Sequence, residues 1–395
     1  MHVHTPRSLQ CLIALFVLFI FWAHPVQASG ENPVQKWEDT ELSELDLSDV
    51  KKFWDQVVTE YDGFLPEIQK TDFEEFLKSD KHGLFQKWLT GMMRYFFHEL
   101  LVNGKLLGTL ILLTVFSMVL QAIQNAFEYK NVSKIAYAVI YLVLIIIALN
   151  SFKVAISYTT DAIHDMSHFL LALMPMLLAL MISGGNVTAV AFFHPIIVFL
   201  INVSGWLIAG FILPLLFLSA LLSIVSTLTE HYKVTQLAGL MRNLAIGTLA
   251  IFFAVFLGVM SVQGAASSIT DGVVLKTAKF ITGNFVPVVG RMFTDATDTI
   301  LNASVLVKNT IGIAGLVILI LITAFPALKV FALALIYNLA SAILQPLGGG
   351  PVIDCLSIIG KSLIFIFAAL GIVSIMFFLA VTIIIASGNL SLMVR

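Results

Sequence analysis

One hydrophobic pattern occurs twice in this chain, about 112 residues apart, and it carries its prolines, glycines and serines with it. Pro175 and Pro287 stand 112 residues apart, as do Pro214 and Pro326. Ile246-Gly247 recurs as Ile359-Gly360, and Leu257-Gly258-Val259-Met260-Ser261 as Leu370-Gly371-Ile372-Val373-Ser374, now at an offset of 113. Upstream, Ser157-Tyr158-Thr159-Thr160-Asp161-Ala162-Ile163 faces Ser267-Ser268-Ile269-Thr270-Asp271-Gly272-Val273 at 110. Apolar composition pairs Leu with Ile, but it does not pair Pro with Pro or Asp with Asp. The pattern predicts a duplicated membrane unit, the plan by which many transport proteins build a central pathway. Chance likeness between hydrophobic helices is the competing explanation.

Composition sets the solvent for that unit. Of 395 residues, 59% are hydrophobic and 12% charged, with a mean hydropathy of +0.96. A soluble domain of this size has no way to hide so much apolar surface. The formal net charge of −2 conceals an asymmetry: residues 30–101 hold 16 acidic and 8 basic residues, whereas residues 102–395 hold 8 acidic and 13 basic. Basic residues of membrane proteins collect in short cytoplasmic loops, and an acidic segment crosses without that penalty. The early part of the chain therefore reads as exported.

The N-terminus agrees. Arg7 precedes the apolar run Leu12 to Trp22, and Val26-Gln27-Ala28 offers small residues for cleavage before Ser29, a signal-peptide pattern over 1–28. An uncleaved signal anchor is the rival reading. Cys11 precedes the apolar run and is badly placed for lipid attachment; after cleavage only Cys355 is left, which excludes an intrachain disulfide.

Residues 29–101 read as an acidic extracytoplasmic helical segment. Ser48 is placed to cap a helix carrying Val50, Phe53, Trp54, Val57, Val58 and Tyr61 at helical spacing, ended by Gly63 and Pro66. Thr71-Asp72-Phe73-Glu74 has capping-box spacing ahead of Phe76 and Leu77. A third helix pairs Leu84 with Phe85, Trp88 with Leu89, Met92 with Met93 and Phe96 with Phe97. So wide an apolar face suits a helix at the membrane surface or docked on a partner through Trp88, Met92 and Phe96. A small bundle burying these faces internally fits equally.

At roughly 20 apolar residues per span, crossings are expected near 103–123, 135–157, 167–183, 189–208, 209–228, 244–262, 308–325, 327–345 and 361–386. The organisation is then two leading spans over 102–150, repeat unit 1 over 151–262, repeat unit 2 over 263–386 and a tail over 387–395. With the N-terminal segment outside, Lys130, Lys134, Lys233 and Arg242 fall on the cytoplasmic side, and Asp161, Asp165 and Asp271 outside. Both units then begin on the same face and are parallel copies. The expected fold class is an all-α polytopic membrane protein, an internally duplicated helical bundle with an N-terminal exported amphipathic helical segment.

The second copy departs from the first over 276–294. That stretch carries Lys276, Lys279, Asn284, Pro287 and Arg291, with Asp295 and Asp298 directly after. Facing lipid it would be costly, because charged groups at membrane depth belong against protein or water. An interfacial amphipathic helix, a broken helix lining a polar pathway and an ordinary loop all fit, with Asp295 and Asp298 available to pair Lys276, Lys279 or Arg291. Asn150, Asn202 and Asn338 read as hydrogen-bonding groups between neighbouring helices. Ser151, Ser261 and Ser374, with Gly258 and Gly371, read as close helix contacts. Gly348-Gly349-Gly350-Pro351 reads as a turn, lacking the lysine and strand of a phosphate loop. Asp161, His164, Asp165 and His168 share one helical face at a spacing able to bind zinc, yet the second copy keeps only Asp271 of the four. No metal site, cofactor or catalytic residue is therefore assigned, and no nucleophile, base and orienting group stand at useful spacing for an enzyme.

Several stretches together resemble the stage III sporulation protein AE family of endospore-forming bacteria. They are Tyr61-Asp62-Gly63-Phe64-Leu65-Pro66, the run from Glu99 to Gly108, Gln124 to Glu128, and above all Gly283-Asn284-Phe285-Val286-Pro287-Val288-Val289-Gly290. The resemblance implies a multi-pass protein of the mother-cell membrane surrounding the forespore. Its implied partners are the other stage III A proteins, including an ATPase and ring-forming members, stage II protein Q, and membrane lipid, with no nucleic acid. The assembly implied is a channel or feeding-type, secretion-like export complex needed for late forespore gene expression. A stand-alone secondary transporter, with Lys279, Asn284 and Arg291 near its pathway, is the alternative.

Overall fold

A computed structural model describes residues 46–65, 72–78, 84–126, 130–228, 233–285, 289–347 and 350–393. The signal-peptide region and Pro287 lie outside these residues. The chain forms α1 (Ser48–Glu60), α2 (Phe73–Lys78), α3 (Leu84–Val102), α4 (Gly104–Ala126), α5 (Lys130–Ser183), α6 (Val187–Leu207), a π turn (Ile208–Ile212), α7 (Leu213–Leu228), α8 (Thr235–Phe285), α9 (Val289–Leu344) and α10 (Pro351–Met393). The described residues hold no strand. This is an all-α polytopic membrane protein.

Six helical stretches among the described residues are long and apolar enough to cross a membrane: Gln86–Ile123, Ala138–Ser183, Val187–Thr227, Thr235–Gly264, Leu301–Leu347 and Pro351–Ser387. The nine crossings expected from sequence are corrected accordingly. Spans 135–157 and 167–183 are one helix, α5, of 54 residues; spans 308–325 and 327–345 are one helix, α9, of 56 residues. The polar stretch Ser157 to His168 does not open a loop: Ser157, Asp161, His164 and His168 gather on one exposed face, while Ala162, Ile163, Met166 and Phe169 on the opposite face are buried in the bundle. Pro175 and Pro326 sit inside these helices without ending them, since a membrane helix can re-satisfy the one carbonyl a proline frees. Spans 189–208 and 209–228 are joined by the π turn. Pro214, two residues beyond it, has no N–H to give, and the widened turn absorbs the register change.

Reversals occur where the local chemistry requires them. Gly184, Gly185 and Asn186 close α5: Gly185 adopts φ +80°, and the Asn186 N–H donates to the Met181 carbonyl while Gly185 N–H donates to Ile182. This paired capping pattern needs a left-handed residue, which glycine supplies without Cβ strain. Asp271 of α8 completes the next start. Its carboxylate, 2% exposed, accepts the backbone N–H groups of Thr188 at 3.0 Å and Ala189 at 2.9 Å, which satisfies two otherwise orphaned donors at the α6 N-terminus.

The most buried of the long helices is α9, packed by α10, α5, α8, α4 and α3. The boundaries drawn at 150/151 and 262/263 fall inside α5 and α8, so neither proposed unit is set off by a linker. The in-span amides bond within their own helices: Asn202 donates to Val198 and Asn338 to Ala334. Asn338 also meets Gly360, where a Cβ would crowd its amide. Ser151 accepts from the Tyr337 hydroxyl at 2.8 Å, tying α5 to α9.

The N-terminal helices fold back on this bundle. Ser48 is the first residue of α1 and makes no side-chain cap; Asp46 accepts the Ser48 N–H instead. Asp72 accepts the Phe73 N–H at 2.9 Å at the start of α2; Thr71, the expected capping-box hydroxyl, lies outside the described residues. Trp54 stacks on Phe76, Phe53 meets Phe169 of α5 edge-on, and Tyr61 stacks on Phe325 of α9 at 3.9 Å. Lys51 and Asp72 pair at 2.7 Å on the surface; the bond lowers the Asp72 carboxyl and raises the Lys51 ammonium from their ordinary values.

Candidate functional site

Where the N-terminal helices meet α5 and α9, they enclose a polar cavity of about 170 Å³. Gln56 and Glu60 of α1 and the following Tyr61 form one wall. Tyr158, Asp161 and Asp165 of α5 form the second, and Pro326 and Lys329 of α9 the third. Helical spacing brings Tyr158, Asp161 and Asp165 to one side of α5. The Lys329 ammonium lies 4.2 Å above the Tyr158 ring and 3.9 Å from the Glu99 carboxylate of α3. Glu99, 7% exposed, also accepts from the Asn103 amide at 3.1 Å. Burial, reinforced by the Glu60 carboxylate, raises the Tyr61 phenol above its ordinary value. With one cation against several carboxylates, the cavity carries an excess of negative charge.

A wider depression of about 740 Å³ continues from it, lined by Asp49, Lys52, Phe53 and Gln56 against Asp161, His164, Asp165 and His168. The His164 and His168 rings stand 6.1 Å apart. The four residues singled out in sequence therefore do share a face, opposite the N-terminal helix α1. Among the described residues, no group of three or more His, Cys, Asp or Glu is arranged to hold a metal ion.

The polar segment lies elsewhere. Lys276 is exposed near the end of α8. Lys279 and Asn284 belong to the last turns of α8, and Arg291, Asp295 and Asp298 to the first turns of α9, with their side chains outside the described residues. Pro287 lies outside the described residues. Trp88 and Met92 pack partly buried against the protein's own core, and the half-buried Phe96 has its ring 5.6 Å from that of Phe331 of α9. The exposed row on the same helix is Leu89, Met93, Phe97 and Leu101.

Two functional-looking groups escaped sequence reasoning. Lys329 stands in an apolar run, and nothing local signals its partners Glu99 and Tyr158. Lys308, 1% exposed, donates to the Ile385 carbonyl of α10 at 3.0 Å, a buried lysine that reads in sequence as the polar edge of a span.

Comparison with known proteins decides the family. The family model for stage III sporulation protein AE matches residues 68–388. A relative from Bacillus subtilis (strain 168), stage III sporulation protein AE, is 58% identical over 98% of this chain and all of its own length. The chain belongs to the stage III sporulation protein AE family. No solved structure matches it. Family membership places the cavity, the docked N-terminal helices and the six long helices in a sporulation protein of the membrane. The match begins at residue 68, so it covers α2 onward, including Glu99, Asp161, Asp165 and Lys329.

Proposed function

We propose that the chain is an integral component of a sporulation export or feeding-type complex in the mother-cell membrane around the forespore. In that complex it works with the other stage III A proteins and stage II protein Q to sustain late forespore gene expression. The observation that carries this reading is the length of its exposed apolar ridges. Phe192, Phe199, Trp206, Phe211, Leu218 and Val225 are all exposed along α6, the π turn and α7. The apolar stretch there runs for 41 residues, about 60 Å at 1.5 Å per residue. Hydrocarbon covers about 30 Å, and closing the gap by tilt alone requires about 60°, beyond the roughly 0–40° that membrane helices adopt. The surplus needs protein against it, which a stand-alone permease does not supply and a multi-protein assembly does. The polar cavity is too small to serve as a conduit, and the chain acts as a structural element of the complex rather than as an enzyme.

The test is affinity purification of the tagged protein from membranes of sporulating cells in gentle detergent, followed by mass spectrometry. Recovery with the ATPase and ring-forming stage III A proteins supports the proposal. Reproducible recovery alone, with control complexes intact, refutes it in favour of a stand-alone transporter.

A further inference from the structure

A second pocket lies between α7, α8 and α10, well away from the N-terminal helices. It encloses about 60 Å³ and is lined by Ser219, Ser223, Arg242, Lys361, Ser362 and Phe365, with apolar residues behind them. No carboxylate lines it. The serines are not free to donate into it: Ser219 donates to the Ala238 carbonyl, Ser223 to Ser219 and Ser362 to Ile358. The donors left are the Arg242 guanidinium and the Lys361 ammonium, both on exposed residues. Arg242 lies 5.5 Å from the Phe365 ring centroid. Packed over that ring, the guanidinium keeps edge N–H groups available for the fork geometry that suits oxyanions.

Position defines the ligand further. Arg242 lies seven residues after the first residue of α8 and Lys361 ten after that of α10, about 10–15 Å along each helix. Two cations at that depth, with no carboxylate beside them, are costly unless an anion meets them. Exposed Leu218 of α7, Leu244 of α8 and Ile364 of α10 stand on the three helices that line the pocket; acyl chains can lie along these side chains. Small basic pockets between membrane helices are a known way of holding phosphorylated headgroups.

We propose that the Arg242–Lys361 pocket binds a phosphate group, supplied by an anionic phospholipid of the leaflet on the side of the α7–α8 and α9–α10 turns. The full-length protein in neutral detergent is titrated with phosphatidylglycerol, with phosphatidylcholine and with inorganic phosphate. Binding is read by native mass spectrometry and by the thermal midpoint. The proposal expects retention and stabilisation by phosphatidylglycerol but not by phosphatidylcholine. It also expects about tenfold or greater weakening in the Arg242→Gln, Lys361→Gln double variant, and no change in Lys153→Gln, an exposed cation elsewhere. Equal phosphatidylglycerol affinity in the double variant overturns it, as does the absence of any binding by the unaltered protein. Saturation by inorganic phosphate alone overturns the lipid source in favour of a soluble anion. Should the double variant fail to fold, Lys361→Met alone, at an exposed position, carries the same comparison.

Discussion

Lys329 is the residue on which the polar cavity turns, because it is the cation that faces Glu99 and Tyr158 across a helix interface. Removing it leaves the largely buried Glu99 carboxylate without a cation, held by the Asn103 amide and the Tyr95 hydroxyl. Lys329→Met should therefore lower stability by about 1–2 kcal/mol, a figure kept modest because the pair is long and the lysine part-exposed. Glu99→Gln should cost less, since the amide oxygen can still accept from Asn103. Thermal unfolding in detergent measures both; an unchanged midpoint for Lys329→Met would show that the contact is incidental. Asp271 makes a clearer case, because two backbone donors at the α6 N-terminus depend on it. Asp271→Ala should cost about 1–2 kcal/mol and Asp271→Asn roughly half of that, by the capping and helix-dipole contributions lost. Limited proteolysis around Gly184 to Asn186 reports it directly, and equal resistance in all three forms would contradict the assignment. At this scale the sequence was legible only within a helix. Asp161, His164, Asp165 and His168 announce a shared face by their spacing, whereas Lys329 and Asp271 find partners far away in the chain, which no local pattern encodes.

Among the elements, the N-terminal helices depend on one close approach. A Cβ at Gly91 of α3 would overlap the Phe64 carbonyl oxygen, so the turn after α1 can seat only against glycine. Gly91→Ala should loosen residues 48–65, at a cost of about 1–3 kcal/mol, and raise their hydrogen exchange relative to α9. Gly108→Ala, where nothing lies within 4 Å of the new methyl, should leave exchange unchanged; equal behaviour of the two variants would rule out the docking described. Amphipathic spacing made α1 and α3 legible, along with the apolar character of every long helix. The number of crossings was not legible from the same signal. Apolar runs interrupted by Ser157 to His168, or by Pro326, look like two spans and a loop, whereas burial of Ala162, Ile163, Met166 and Phe169 on the face opposite the polar groups lets one helix continue. Gly184-Gly185-Asn186 carried a true reversal, readable from the glycine pair.

For the whole molecule, composition identified a membrane protein, and the family is a sporulation family. What the sequence did not convey is length: once paired spans fuse, the exposed apolar ridges exceed what a bilayer can cover. That excess is the physical ground for an assembly, and it predicts where on this protein partners sit. The decisive measurement is photo-crosslinking in sporulating cells with the full-length protein, placing a photoreactive residue in turn at Phe192, Phe199, Trp206, Leu218 and Val225. Protein adducts at one contiguous part of the ridge, with lipid-facing silence over the remainder, are the predicted result. If every position stays free of protein adducts while the protein is folded and abundant, the ridge has no protein partner and the assembly account fails.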